Sequence, residues 1–210
     1  MKTPEHPIFL ESVKYIRSEL GITGLDQIQQ SILERIIHSS GDFTLQSSIR
    51  FSPNACENAI KALQNGAKIF TDTYMAEAAI SPMAKRTLNS EMQCILGMAP
   101  TSIDSTLTTR SAIGMRNIWL NFEEQGNLLN APLVVIGSAP TALISLLDLV
   151  EAGYTKPSLI IGMPVGFIGV SESKIRLLNS ECPYIILEGS KGGASIAAAA
   201  TNALLRAAEN

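Results

Sequence analysis

Histidine and cysteine are scarce: His6 and His38 are the only histidines, and Cys56, Cys94 and Cys182 the only cysteines, in 210 residues. Two histidines exclude a histidine-rich metal centre, and without a CxxC pair neither a zinc ribbon nor a disulfide framework is indicated. The cysteines read as reduced, buried thiols of a cytoplasmic protein. Aromatic residues make up 5% of the chain and charged residues 17%, the latter well below the roughly 25% usual in soluble domains. Neither sign of charge dominates, since 16 basic against 19 acidic residues give −3, so nucleic acid is not an expected partner. GxxxxGK(S/T) is absent, which argues against an NTPase, and GxSxG is absent, which argues against acyl-transfer hydrolysis. Gly162, Gly166 and Gly169 follow GxxxGxxG rather than the dinucleotide spacing GxGxxG. The N-terminal stretch has no apolar signal core. One long uncharged run, residues 125–147, is interrupted by Gly126, Asn127, Asn130, Pro132, Gly137 and Pro140. It reads as strand, turn and helix rather than a membrane span.

What is present is apolar residue, 46% of the chain, enough to bury the core of a single domain over residues 1–210. Residues 8–20 place Ile8, Leu10, Val13, Ile16 and Leu20 near helical spacing. Asp26 is the N-cap candidate of a second helix running through Ile32, Leu33, Ile36 and Ile37 to His38, ended by residues 39–42. His38 then stands at a helix C-terminus, where the dipole favours an imidazolium. A third helix spans 54–65, with Gly66 as its stop. Beyond it, short apolar runs at 68–72, 91–96, 133–137, 158–162 and 184–188 alternate with helical segments at 74–80, 107–124, 141–152, 171–179 and 193–208. That alternation predicts an α/β fold, three-layer α/β/α, with a mostly parallel sheet of about five strands. The Ala-rich end reads as a closely packed helix, lying either on the sheet or on another subunit.

Ligands of parallel sheets bind beyond the carboxyl ends of the strands. Here those ends carry Thr71-Asp72-Thr73, the loops 137–141 and 162–169, and Gly189-Ser190-Lys191-Gly192-Gly193. Three of the four are glycine-rich and lead into helices, an arrangement suited to carboxylate or phosphate. His38 is the one conventional acid/base with a pKa near neutrality, and Arg110 can anchor a carboxylate by a bidentate contact. Each of these features also has a plain structural reading: tight turns for the glycines, a packed ring for the histidine, a surface charge for the arginine.

Taken together, RIIHSSGDF (35–43), FSPNACENAIKALQNGAKIFTDTYM (51–75), TRSA (109–112), VIGSAPTAL (135–143), GMPVGFIGVSESK (162–174) and GSKGGASIAAAATNAL (189–204) resemble the precorrin-8X and cobalt-precorrin-8 methylmutase family, in order and over nearly the whole chain. The resemblance implies an isomerase of vitamin B12 synthesis. Such an enzyme moves a methyl from carbon 11 to carbon 12 of a tetrapyrrole polycarboxylate by a 1,5-sigmatropic shift, with no methyl donor or cofactor. It also implies a cytoplasmic homodimer with active sites near the subunit interface. The family's catalytic histidine falls on His38, its substrate-contacting serine on Ser12 and its TRSA arginine on Arg110. Asp72, Thr73 and Lys191 at the strand ends are expected to contact the substrate, the helix N-termini there and Arg110 to hold its peripheral carboxylates, and Met75, Pro164 and Phe167 to line the ring faces. Two other classes stay open at this point: a phosphosugar or nucleotide-binding enzyme, and a corrinoid carrier that binds without turnover.

Overall fold

A computed structural model describes residues 6–102, 108–126 and 130–209. Two antiparallel helices open the chain, α1 (Pro7–Leu20) and α2 (Gln27–Ser40). Asp26 caps α2 as its position predicts: its carboxylate accepts the Ile28 and Gln29 N–H groups at 2.8 and 2.9 Å, and the Gln29 side chain accepts the Asp26 N–H in return. Gly41 ends α2 in the left-handed region, φ 67°, where a side chain would be strained.

After a 3-10 turn come β1 (Ile49–Phe51), α3 (Ala55–Gln64), β2 (Ile69–Thr71), α4 (Tyr74–Arg86) and β3 (Met92–Cys94). The second half contains α5 (Arg110–Glu124), β4 (Leu133–Ile136), α6 (Pro140–Glu151), β5 (Leu159–Gly162), α7 (Val170–Leu178), β6 (Tyr184–Leu187) and α8 (Ala194–Ala208). Helix α4 continues past residue 80 and through Pro82, because Ile80 and Ala84 are buried against the core. That burial outweighs the roughly 3 kcal/mol cost of an interior proline. The expected helix 107–124 begins at Arg110, with Thr109 as its cap; residues 103–107 lie outside the described ones.

The sheet order is β1-β6-β5-β4-β2-β3, parallel except for β1 on β6. The five strands read from sequence are all present, and β1 is a sixth, whose Ile49-Arg50-Phe51 sets a charge between two apolar residues and so forms no apolar run. Alternate residues of the central strands face opposite cores. Leu133, Val135, Leu159, Ile161, Ile185 and Leu187 join one core, shared with α2, α3, α4 and α8. Val134, Ile136, Ile160 and Ile186 join the other, shared with α5, α6 and α7. The fold is therefore three-layered.

Helix α8 is a core element. Ala197, Ala198, Ala200, Ala203, Leu204 and Leu205 are all buried within the subunit, against α2, α3 and α4. Of the two readings of the Ala-rich end, packing within the subunit holds, and the helix presents no broad face to a partner.

Chain direction reverses between β2, which leads outward to β3, and β4, which leads through β5 to β6. The crevice at the carboxyl ends of β2 and β4 is thus the topological switch point. The loops after β5 and β6 pack against each other beside it: a Cβ on Gly192 would stand 2.1 Å from the Met163 carbonyl oxygen. Gly192→Ala must push two backbone segments apart. It is expected to cost about 1–3 kcal/mol in urea unfolding.

Candidate active site

The first contact between expected site residues arises from how α1 and α2 are fastened. Arg17 on α1 makes a two-pronged bridge to Glu34 on α2, at 2.8 and 2.9 Å. Glu34 is buried, and Gln30 donates to it at 2.9 Å. The helices run antiparallel, so five residues before Arg17 on α1 meet four residues after Glu34 on α2. That register brings Ser12 Oγ to 2.8 Å from His38 Nδ1. Phe9, one turn before Ser12, sets its ring edgewise to the imidazole with centroids 4.9 Å apart, and the Arg35 guanidinium lies 4.7 Å over the Phe9 ring.

Ser12 can either donate to or accept from Nδ1, so the pair accommodates neutral and protonated imidazole alike. With Nδ1 engaged, Nε2 is the ring nitrogen left for a ligand, and the residue itself is exposed. Glu34→Gln weakens the bridge and leaves Arg17, itself mostly exposed, without its counter-charge. The expected loss is about 1–3 kcal/mol in thermal unfolding, with turnover falling as Ser12 loosens from His38.

Lys191 approaches the same end of α2. Its Nζ reaches Asp42 Oδ2 and Thr44 Oγ1, both at 2.6 Å, just after the glycine that ends the His38 helix. Lys191 and Thr44 together hold the Asp42 carboxyl down at about 2. The ammonium expected to meet a substrate carboxylate therefore already has one, and serves as a latch between the β6–α8 loop and the turn after His38.

Asp72 is corrected more fully. Standing just past β2 at the switch point, it is 0% exposed. Its Oδ2 accepts the N–H groups of Gly137, Ser138 and Ala139 at 3.1, 2.6 and 2.8 Å. The anion site expected at that loop exists, but the protein's own carboxylate fills it. Asp72 Oδ1 is buried without a hydrogen-bond partner among the described residues. Burial pushes the carboxyl above its ordinary range, against the lowering effect of the three N–H groups. Thr73 is likewise committed, its hydroxyl accepting the Ala76 N–H at 3.2 Å to cap α4. Pro164 is buried, and its carbonyl faces Gly192, so it offers no surface to a ring.

Other expected residues are open to solvent. Met75 is 70% exposed at the start of α4; Phe167 and Ile168 are each 90% exposed on the β5–α7 loop, with Val165 half-exposed beside them. Arg110 stands in the opposite layer at the start of α5. One guanidinium nitrogen donates to the Pro100 carbonyl at 3.1 Å. Neighbouring Thr109 meets Thr141, at the head of α6, at 2.7 Å. His38 thus sits with Ser12 and the Lys191 latch on one side of the carboxyl edge. Arg110 and the Asp72-gripped loop sit on the other side, with apolar Met75 and the 165–168 lip also on that edge. Surface depressions lie between α2, α3 and α8, alongside α4, and between α1 and α2 beside Phe9, Arg17 and Glu34.

Neither the Arg17–Glu34 bridge nor the burial of Lys174 is legible from sequence, since charged residues on helices read as solvated. Among the described residues no group of three or more His, Cys, Asp or Glu is placed to hold a metal ion, and no helix is long and apolar enough to cross a membrane. The three cysteines are buried free thiols, and burial raises Cys56 to about 12.

Comparison with known proteins converges on one family. A family model described as precorrin-8X methylmutase matches residues 7–207. A cobalt-precorrin-8 methylmutase of Synechocystis sp. is 37% identical over 96% of this chain and 95% of its own. A precorrin-8X methylmutase of Pseudomonas aeruginosa is also 37% identical, over 94% of this chain and 93% of its own. Among solved structures, the precorrin-8x methyl mutase of Thermus thermophilus superimposes with a TM-score of 0.84 at 34% identity, covering 96% and 95% of the two chains.

Proposed function

The chain belongs to the precorrin-8X methylmutase family and is an isomerase of cobalamin biosynthesis; on that premise we propose that it moves a methyl group from carbon 11 to carbon 12 of precorrin-8X or cobalt-precorrin-8, with His38 as proton donor and acceptor. The observation that carries the role of His38 is its pairing with Ser12 at 2.8 Å. That contact engages Nδ1 and leaves Nε2 as the other ring nitrogen of an exposed residue. The two relatives named for the metal-free and the cobalt substrate share the same 37% identity with this chain, so both substrates enter the proposal.

The methyl migrates with its bonding pair while ring double bonds redistribute, so nothing is gained or lost overall. The protein's task is to hold the macrocycle and manage one proton. Protonated His38 donates from Nε2 to the ring system as conjugation shifts and recovers the proton afterwards, with Ser12 holding the imidazole in place through both forms. Arg110 offers its guanidinium Nη atoms to a peripheral carboxylate. Met75 and Phe167 offer apolar faces to the ring.

Those faces are exposed in one subunit, and His38 is as well. A homodimer in which a second copy covers the carboxyl edge would exclude water from the reacting ring. The cytoplasm, where unpaired thiols persist, is the proposed location.

Mixing the purified protein with enzymatically prepared precorrin-8X, and separately with cobalt-precorrin-8, tests this reading by visible absorption. Conversion of either to the corresponding corrin, hydrogenobyrinic or cobyrinic acid, is expected. Binding of both without any conversion would mean a corrinoid carrier instead, and no binding of either would remove the tetrapyrrole.

A further inference from the structure

Lys174 is a lysine in a position suited to an apolar residue. It lies on α7 with 1% exposure, and its Nζ donates to the carbonyls of Gly189 and Lys191 at 2.8 and 2.7 Å. No carboxylate shares the contact, and burial pulls its ammonium down to about 8. Leucine or methionine would fill the space without desolvating a charge, so the lysine is explained by what it holds.

It holds one loop. The Gly189 and Lys191 carbonyls go to Lys174, and between them the Ser190 carbonyl accepts the Gly166 N–H at 3.1 Å. The Gly193 N–H then donates to Met163 at 2.9 Å. Three successive carbonyls are thus turned toward α7 and the β5–α7 loop. The Lys191 side chain extends from this loop to Asp42 and Thr44. A continuous run of contacts leads from Lys174 through the loop to the turn behind His38, and through Gly166 to the exposed apolar lip of Val165, Phe167 and Ile168.

We propose that Lys174 is a positioning residue for the methylmutase reaction: it fixes the β6–α8 loop so that the turn after His38, latched to that loop by Lys191, and the 165–168 lip meet the tetrapyrrole in one arrangement. The inference rests on the tetrapyrrole reading of the site. Lys174 acts on binding through the loop and does not touch the migrating methyl.

The test uses the full chain with Lys174→Met, alone and combined with Lys191→Ala. Affinity for hydrogenobyrinic acid and for cobyrinic acid is read by absorption, and amide hydrogen exchange is followed along the whole chain. Lys174→Met is expected to weaken binding about tenfold, as loss of a charged hydrogen-bond donor does. The double variant should bind no worse than the weaker single one, because both changes release the same loop. Exchange should quicken at 189–193 and 41–44 while the sheet keeps its protection. Should Lys174→Met fail to fold, Lys174→Gln, which keeps an N–H donor, carries the same comparison. Binding losses that multiply in the double variant, or exchange that quickens evenly through the chain, would overturn the proposal and leave Lys174 a residue of general stability. Failure of the wild-type protein to bind would instead strike the tetrapyrrole reading, and the inference with it.

Discussion

His38→Ala is expected to lower turnover by about 10²–10⁴-fold, the usual worth of a positioned general acid or base, while binding of the corrin product changes little. The division between rate and affinity is what gives the result meaning. His38 sits at the end of α2, and its ring touches Ser12 and the edge of Phe9, so truncation removes a proton carrier without opening the core. Ser12→Ala should fall between wild type and His38→Ala, since it frees the ring without deleting it. Steady-state rates and product titrations for both variants check the ordering. Unchanged turnover in His38→Ala would remove the histidine from the chemistry.

The second large effect is on architecture. Asp72→Ala strips the acceptor from three consecutive N–H groups at the head of α6. Ser138 is exposed, so water replaces part of what is lost, and the expected cost is on the order of 3 kcal/mol. Asp72→Asn keeps an acceptor oxygen and should cost much less. The two forms should also differ in pH dependence. Burial raises the Asp72 carboxyl in the folded state above its unfolded value, so the folded chain binds the proton more readily. The stability this contributes is complete below the unfolded value and is lost as pH rises through the raised folded one. Asparagine does not titrate there, so wild type should lose ground to Asp72→Asn as pH rises through that window. Chemical denaturation at several pH values reads the trend; an opposite slope would mean that the three N–H groups outweigh burial.

Most of the layer plan was legible because its signals are local. LVVIG and SLIIG are continuous apolar runs of strand length, and Asp26 is a residue type that caps helices. The edge strand Ile49–Phe51 was not legible, because its pairing partner, β6, lies far along the chain. At the site, the resemblance marked His38, Ser12 and Arg110, and the structure sets Ser12 against His38. Asp72 was misjudged for an instructive reason. A carboxylate at the end of a parallel strand is well placed for a ligand, but nothing local reveals that a loop 65 residues later turns three N–H groups onto it. Pro164, expected to line the ring, is buried within the subunit, and Lys174 is buried although charged. Burial of a single residue in a loop or helix depends on what folds over it, and no periodicity carries that information.

The most direct measurement follows the methyl itself. Precorrin-8X labelled with carbon-13 only in the methyl on carbon 11 would be incubated with the purified protein and the product examined by carbon NMR, with the cobalt form run in parallel. Complete retention of the label in a methyl on carbon 12, from at least one of the two substrates, is the expected result. A label still on carbon 11 in both, in a substrate shown by absorption to be bound, would contradict the assignment of the reaction.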